Sequence, residues 1–375
     1  MSLLAFVRWF MLLLLVSLSH GMDYVTIGNP ALRFSRLILG TDHLGKGGEE
    51  QATAVLNEAL RLGINAFDTA PIYSESIEMI LGAWLRSLER NDLFVITKGG
   101  FPVDTGPGTY QSRLKGSVDE IAANVFEELK GSRAMYSQPI TIYLMHRDDN
   151  DYLDYKRIVR ERTPADTILR ALSLSHLASQ YQMIGLSNWE NSRVEEALSV
   201  QIPGVLRPVC RSPYFSLLEM SDVTIHSGGV QVKHEDMMNP DFQKGIRIMT
   251  YSPLGGFPIF SRSWEEAEKE ALTLKNEDER YWGHVYDAIF HEANKKRWKR
   301  LEQFTQAFNQ KHQSHYTMDQ MAHAWVLAHP RSDFMIIGPR NIEQLRRTVG
   351  ALELSKHLSS EDLDYLYRNE LSNSE

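Results

Sequence analysis

Absences set the first limits on this chain. Its 375 residues contain one cysteine, Cys210, so no intrachain disulfide can form and neither a thiolate zinc cluster nor a CxxC redox pair can be drawn. No Asn-x-Ser/Thr sequon occurs, which leaves N-glycosylation without an acceptor. The histidines of KHQSHYTMDQMAHAW lack the HExxH spacing of a zinc helix, and no metal site is expected. G-x-G-x-x-G is missing, as is the Gly-Lys-Ser/Thr ending of a phosphate loop, so the signals of a Rossmann domain and of a nucleoside triphosphate site are both lacking. Basic residues are not in excess: 40 Lys and Arg face 48 Asp and Glu, a net charge of −8. That balance gives no electrostatic reason to expect nucleic acid or an anionic membrane as partner.

Long apolar runs are also scarce, with one exception at the start. After Arg8 comes WFMLLLLVSL, shorter than the ~20 residues of a spanning helix but of signal-peptide length. Residues 1–21 therefore read either as a signal-like segment or as an upstream extension preceding a second start at Met22. The first reading implies a secretory or membrane-associated protein whose membrane contact is confined to that segment; the second implies a cytoplasmic one. Residues 22–375 read as one unit.

What is present is an alternation. The apolar runs SRLILG, INAFD, LFVITK, ITIYLMH, QMIGLSN, VLRPVC, IRIMTYS and DFMIIG read as strands buried on both faces. Between them lie patterns such as EEQATAVLNEALRLG, SIEMILGAWLRSL, VDEIAANVFEELK, PADTILRALSLSHLASQ, NSRVEEALSV and NIEQLRRTVGAL, apolar at spacings of three and four. Buried strands separated by covering helices imply parallel pairing. Eight of them fit an α/β fold of the (β/α)8 TIM-barrel type, one domain with long βα loops and a C-terminal helical extension. GGFPVDTGPG, Gly99 to Gly108, reads as a long loop over the barrel mouth. A second extension runs from about Phe257 to Gln313, helical in WEEAEKEALTL; its basic run KKRWKR reads as a solvated helix face. Cys210, inside VLRPVC, reads as core filler.

In such a barrel, functional side chains sit where strands end. The second strand ends at Asp68, with Tyr73 in its loop; the third ends at Lys98, the fourth at His146, the fifth at Ser187 and Asn188. A phenol with an ordinary pKa near ~10 is a reluctant proton donor, and an ammonium beside it favours the phenolate. Lys98 can supply that charge, with Asp68 as its counter-ion. His146 can hydrogen-bond a carbonyl or relay a proton. The set suits protonation of an oxygen that gains negative charge, as hydride addition to an aldehyde or ketone requires, with the hydride coming from a cofactor.

FDTAPIYS, LFVITKGG, IYLMHRDD, IGLSNW, IMTYSPLGG and IIGPRNIEQL, in that order, resemble the aldo/keto reductases, and the resemblance spans Tyr24 to Leu366. It implies a catalytic tetrad of Asp68, Tyr73, Lys98 and His146, with Tyr73 as general acid. It also implies a nicotinamide cofactor, NADPH rather than NADH, extended across the mouth. Gly40, Thr41, Asp68, Ser187, Asn188, Ser212, Tyr251, Ser252, Leu254, Gly338, Arg340 and Gln344 match its binding positions, with Ser187 and Asn188 at the carboxamide, Tyr251 stacked on the ring and Arg340 at a 2′-phosphate. Two positions depart from the family pattern: Ser212 replaces a glutamine, and Thr348 an asparagine. Tyr73, His146, Trp189 and Phe101 are the expected contacts of a small carbonyl substrate, with His43, Tyr214 and Phe257 as further candidates for the pocket wall. Two other readings stay open: a barrel aldolase using Lys98 as a Schiff-base amine, and a catalytically weak, cofactor-binding subunit or redox sensor attached to a membrane partner.

Overall fold

Eight apolar runs become eight parallel strands: β1 (Leu37–Gly40), β2 (Ala66–Asp68), β3 (Phe94–Gly99), β4 (Ile140–Met145), β5 (Tyr181–Ser187), β6 (Pro208–Ser212), β7 (Arg247–Thr250) and β8 (Phe334–Ile337). They pair in chain order and close β8 onto β1, giving a single-domain (β/α)8 barrel. The computed structural model describes residues 21–368 apart from Glu89, Gln138, Asp154, Tyr155, Ser227 and Arg280. The expectations for residues 1–20 therefore fall outside the described residues. Among those described, no helix is long and apolar enough to cross a membrane.

Two apolar layers hold the barrel. Inside it, Ile38, Ala66, Ile96, Ile142, Leu144, Cys210, Met249 and Phe334 fill the bore. Cys210 is fully buried there, and desolvation pushes its thiol pKa up, as expected of a packing residue rather than a nucleophile. The lower opening is stoppered by a hairpin, Tyr24–Ile27 paired with Leu32–Ser35, whose Phe34 stacks on Phe94 at 4.4 Å between ring centres. Outside, each helix lays an apolar stripe on the strands. The helix Val118–Met135 starts at a reciprocal Ser117–Glu120 cap and buries Ile121, Val125 and Leu129, one residue every turn, which is the spacing that keeps one face inward.

Strand register decides what stands at the upper rim. Gly40 pairs with Asp68, and Asp68 with Ile96. Lys98 lies two residues beyond Ile96, on the same side of its strand, and pairs with Leu144. Ser187 pairs with Ser212. The lower end is thus plugged by hydrocarbon, while polar strand ends gather above.

Three local expectations are corrected. Gly99–Gly108 is not simply a loop: Val103–Gly106 and Thr109–Gln111 form a hairpin that joins Tyr152–Leu153 and Lys156–Arg157 in a small antiparallel sheet. PADTILRALSLSHLASQ is broken into Ala165–Leu172 and Ser175–Ala178, because the Ser173 hydroxyl donates back to the Leu169 carbonyl and accepts from the Leu206 amide. KKRWKR, within the helix Glu292–His312, is not a solvated face either. Arg297 is fully buried against Glu219, Arg300 donates to the Leu366 carbonyl, and Trp298 donates to the Ile259 carbonyl.

The first and last barrel helices, Gly48–Arg61 and Ile342–Ser355, are clamped by Glu58, which takes hydrogen bonds from Arg61 and Arg346. Those guanidinium groups, Arg61 above all, lower the Glu58 pKa to about 2. A depressed folded-state value stabilises the protein above the unfolded value of ~4.3 and loses that contribution as pH falls toward 2. Glu58→Gln is expected to lower stability near neutrality by about 1 kcal/mol and to flatten the acid limb between pH ~4 and ~2. Urea titrations across that range check both; an unchanged acid slope would refute the clamp.

Candidate active site

Backbone bonds fix the strand ends before any side chain is considered. The Thr41 amide donates to the Asp68 carbonyl, that of Thr69 to Ile96, and that of His146 to Gly99. Tyr73 is pinned in a turn, its amide donating to Ala70 at 3.1 Å, one residue before Ser74 caps the next helix. A chain leaving β2 therefore cannot carry the phenol far from the barrel axis.

Lys98 lies at the centre of the resulting group. Its ammonium donates to both Asp68 oxygens at 2.7 and 2.6 Å, to the Thr69 carbonyl at 3.0 Å and to the Tyr73 hydroxyl oxygen at 2.8 Å. Lys98 and Asp68 are 4% and 2% exposed, so neither charge is tolerable without the other. Burial pushes the Asp68 pKa up against the attraction of Lys98, and pushes Lys98 down against the attraction of Asp68. Four oxygen contacts describe a donor rather than the free amine a Schiff base needs. His146 completes the group, with its ring 6.2 Å from that of Tyr73.

The electrostatics depart from the expectation for the phenol. Burial first, and then the Asp68 and Asp42 carboxylates, raise the Tyr73 pKa well above its ordinary value. Lys98 stays in contact with the hydroxyl, but that contact does not offset burial and the two carboxylates. His146 moves the other way: burial, then Arg147 and Lys98, hold its pKa well below the ordinary imidazole value. The site thus presents a protonated phenol beside a neutral imidazole.

A cavity of about 320 Å³ opens over these groups. It is lined by Gly40, Asp68, Tyr73, Lys98, His146, Ser187, Asn188, Ser212, Tyr251, Ser252, Leu254, Gly338, Arg340 and Gln344, so the strand ends bring nearly all the expected positions onto one wall. His43, Phe257 and Thr348 also line it. Four expected contacts do not. Thr41 is fully buried behind the wall. Trp189 is 1% exposed and packs under the Arg193 guanidinium, 5.1 Å from its ring centre. Phe101 stands behind the imidazole, 5.2 Å from the His146 ring centre, and Tyr214 likewise backs Tyr251 at 6.0 Å.

The wall suits a nicotinamide dinucleotide on chemical grounds. At one end the Ser212 hydroxyl is buried without a hydrogen-bond partner among the described residues, an arrangement that asks for a polar ligand group. At the other end Gly338 and Arg340 precede the 14-residue helix Ile342–Ser355, whose N-terminus favours negative charge. Asn188 behaves differently from the expected carboxamide ligand. Its Oδ1 accepts from the Tyr251 hydroxyl at 2.6 Å and the Val230 amide, while its Nδ2 donates to the His146 carbonyl and the Ser187 hydroxyl. Asn188 is thus a clamp that locks Tyr251 and the backbone of His146, leaving the Ser212 hydroxyl as the open position.

Sequence reasoning missed Arg147, Asp42 and His226 at the tetrad end, and Arg347, Asp319 and His323 at the far end, all on the cavity wall. Arg347 was findable: Gln344, Arg347 and Thr348 share one face of their helix. Arg147 follows His146 at a strand end and carries the same positional signal.

Removing Lys98 alone should leave a buried carboxylate uncompensated. Lys98→Met is expected to cost about 3–5 kcal/mol near neutrality. Its Asp68 pKa rises above the unfolded value, so stability is retained in acid and lost as pH rises through the folded-state value. The Asp68→Asn, Lys98→Met double variant should regain most of the loss in thermal melts; no recovery would contradict mutual compensation.

A profile described as the aldo/keto reductase family matches residues 36–368. The chain is 27% identical to an uncharacterized oxidoreductase of Bacillus subtilis over 89% of its own length and 92% of that protein. It is 25% identical to a Schizosaccharomyces pombe protein provisionally named an aryl-alcohol dehydrogenase, over 92% of its own length and 94% of that protein.

Proposed function

Because the chain belongs to the aldo/keto reductase family, we propose that it is an NADPH-dependent oxidoreductase that reduces an aldehyde or ketone to the alcohol, with Tyr73 as general acid. The observation that carries this reading is the 2.8 Å bond from Lys98 to the Tyr73 oxygen, made by an ammonium that both Asp68 oxygens hold. By accepting from Lys98, the phenol keeps its own O–H to donate. It is protonated at working pH, as a proton donor must be, and the ammonium remains in contact to stabilise the phenolate once the proton has gone. His146, neutral and lining the same cavity, can donate one N–H to the same substrate oxygen without competing as an acid. Bound NADPH supplies the hydride. Ser212 and Tyr251 are the residues that would hold its nicotinamide end, Ser252 and Leu254 the pyrophosphate, and Arg340 with the following helix N-terminus the 2′-phosphate. The names of the two relatives, an oxidoreductase and an aryl-alcohol dehydrogenase, agree with this class of reaction.

Tyr73→Phe is expected to lower kcat at least about 100-fold, the usual scale of general acid catalysis, while the Kd for NADPH changes little. Stopped-flow turnover and fluorescence titration separate the two, and unaltered turnover would remove Tyr73 from its role. The raised phenol and lowered imidazole pKa values predict kcat/KM that is flat from pH ~6 to ~8, because neither group titrates there; an imidazole inflection in that interval contradicts it. Arg340→Ala should weaken NADPH about tenfold and NADH far less, the scale of one lost charge-assisted hydrogen bond. Equal losses for both nucleotides would argue against a 2′-phosphate contact.

A further inference from the structure

Behind the His146 imidazole lies a carboxylate that the reaction does not touch. Glu128 belongs to the helix Val118–Met135, which packs on β3. One of its oxygens accepts from the Gly100 amide at 2.6 Å, and the Phe101 amide bonds to the same carboxylate. Arg113 holds the other side of this segment. Its Nε donates to the Phe101 carbonyl at 3.0 Å, and its own carbonyl accepts from Asn124, one turn before Glu128 on the same helix face. Gly100 has a φ of +69°, and a Cβ on Gly99 would stand 1.7 Å from the Tyr143 hydroxyl oxygen. Two successive glycines leave the segment little conformational preference of its own, so its path is set by what grips it.

The gripped segment meets His146 twice. The Gly99 carbonyl accepts from the His146 amide at 2.7 Å. The Phe101 ring packs against the imidazole with centres 5.2 Å apart and planes at 64°. Backbone and ring of His146 are thus both located by residues 99–101, and those residues by Glu128 and Arg113.

We propose that Glu128 is a positioning residue for the reaction, one that sets the place of the His146 imidazole on the cavity wall by holding the backbone of Gly100 and Phe101. This rests on the reductase reading above. The electrostatics agree with a role beyond anchoring. Burial raises the Glu128 pKa against the Gly100 amide, Arg113 and the Phe101 amide, and Glu78 adds to the rise. Tyr143, the remaining titratable neighbour, has its own pKa raised well above the ordinary phenol value and stays neutral. A raised folded-state value means that ionised Glu128 costs stability, a cost that appears as pH rises through that value and is absent in acid. Perturbed carboxyls of this kind cluster at functional sites.

The test follows reduction of 4-nitrobenzaldehyde by NADPH in Glu128→Gln and Glu128→Ala. Both variants should lose about tenfold or more in kcat, the scale of a misplaced catalytic group, with the Kd for NADPH within about twofold of wild type. Glu128→Gln mimics the protonated carboxyl, so the ratio of wild-type to variant kcat should be largest near neutrality and fall toward one in acid. Thermal melts near neutrality should find Glu128→Gln no less stable than wild type. Phe101→Leu cuts the chain of contacts at its next link, and combining it with Glu128→Ala should cost little beyond the larger single loss. With 13C-labelled histidine, the His146 Cε1–H resonance, assigned through His146→Gln, should shift in Glu128→Gln. If wild type reduces no aldehyde, the reductase reading fails while that resonance still decides whether Glu128 places His146. Unchanged kcat in Glu128→Ala, a ratio independent of pH, or an unmoved resonance overturns the proposal. Parallel losses of stability, NADPH affinity and rate would make Glu128 a structural anchor only and overturn it as well.

Discussion

The buried pair of Asp68 and Lys98 is the constraint on which the upper half of this protein depends. Taking a carboxylate and an ammonium out of water costs several kcal/mol each, and here both are almost wholly enclosed. Only bidentate contact between them, with the Thr69 carbonyl taking a further hydrogen, makes that burial tolerable. The pair is correct only if β2 and β3 keep their register, since a slip of one residue would turn Lys98 to the outer face. Its last contact, to Tyr73, carries that buried charge to the phenol at the cavity wall.

The two ends of the barrel divide the work accordingly. Below, Phe34, Phe94 and Phe334 close the bore with stacked and tilted rings. Above, backbone carbonyls at the strand ends have no ladder partner beyond them, and polar side chains collect there to satisfy one another. Asn188 illustrates the economy of that rim: four hydrogen bonds from one amide tie together the ends of β4 and β5, the following Val230 segment and the Tyr251 ring. The Ser212 hydroxyl stands outside this network. The contrast between a saturated clamp and an open hydroxyl separates a residue that shapes the cavity from one whose hydrogen-bonding capacity is still unspent.

Much of this was legible along the chain. Eight apolar runs of strand length, each followed by a three-and-four pattern, specify a parallel sheet covered on both faces, and the missing glycine-rich signal of an open doubly wound sheet favours the closed barrel. The ordered motifs from FDTAPIYS to IIGPRNIEQL located the strand ends, and hence most of the cavity wall. Side-chain direction was not legible. Trp189 and Thr41 occupy strand-end positions as good as those of Asn188 and Gly40, yet point into packing, because alternation along a strand fixes a face only once register and loop path are known. The KKRWKR run misled for a related reason: its arginines are neutralised by Glu219 and by carbonyls near Tyr367, partners 66 to 78 residues away in sequence.

The sequence by itself determined the fold class, the order of the strands and which residue types stand at their ends, because hydrophobic period and strand length are local properties that survive translation into space. Tertiary structure alone decided the electrostatic state of those residues. Whether Tyr73 is drawn toward phenolate or kept protonated depends on burial and on the Asp68 and Asp42 carboxylates, and desolvation is a property of the packed molecule that no stretch of sequence carries.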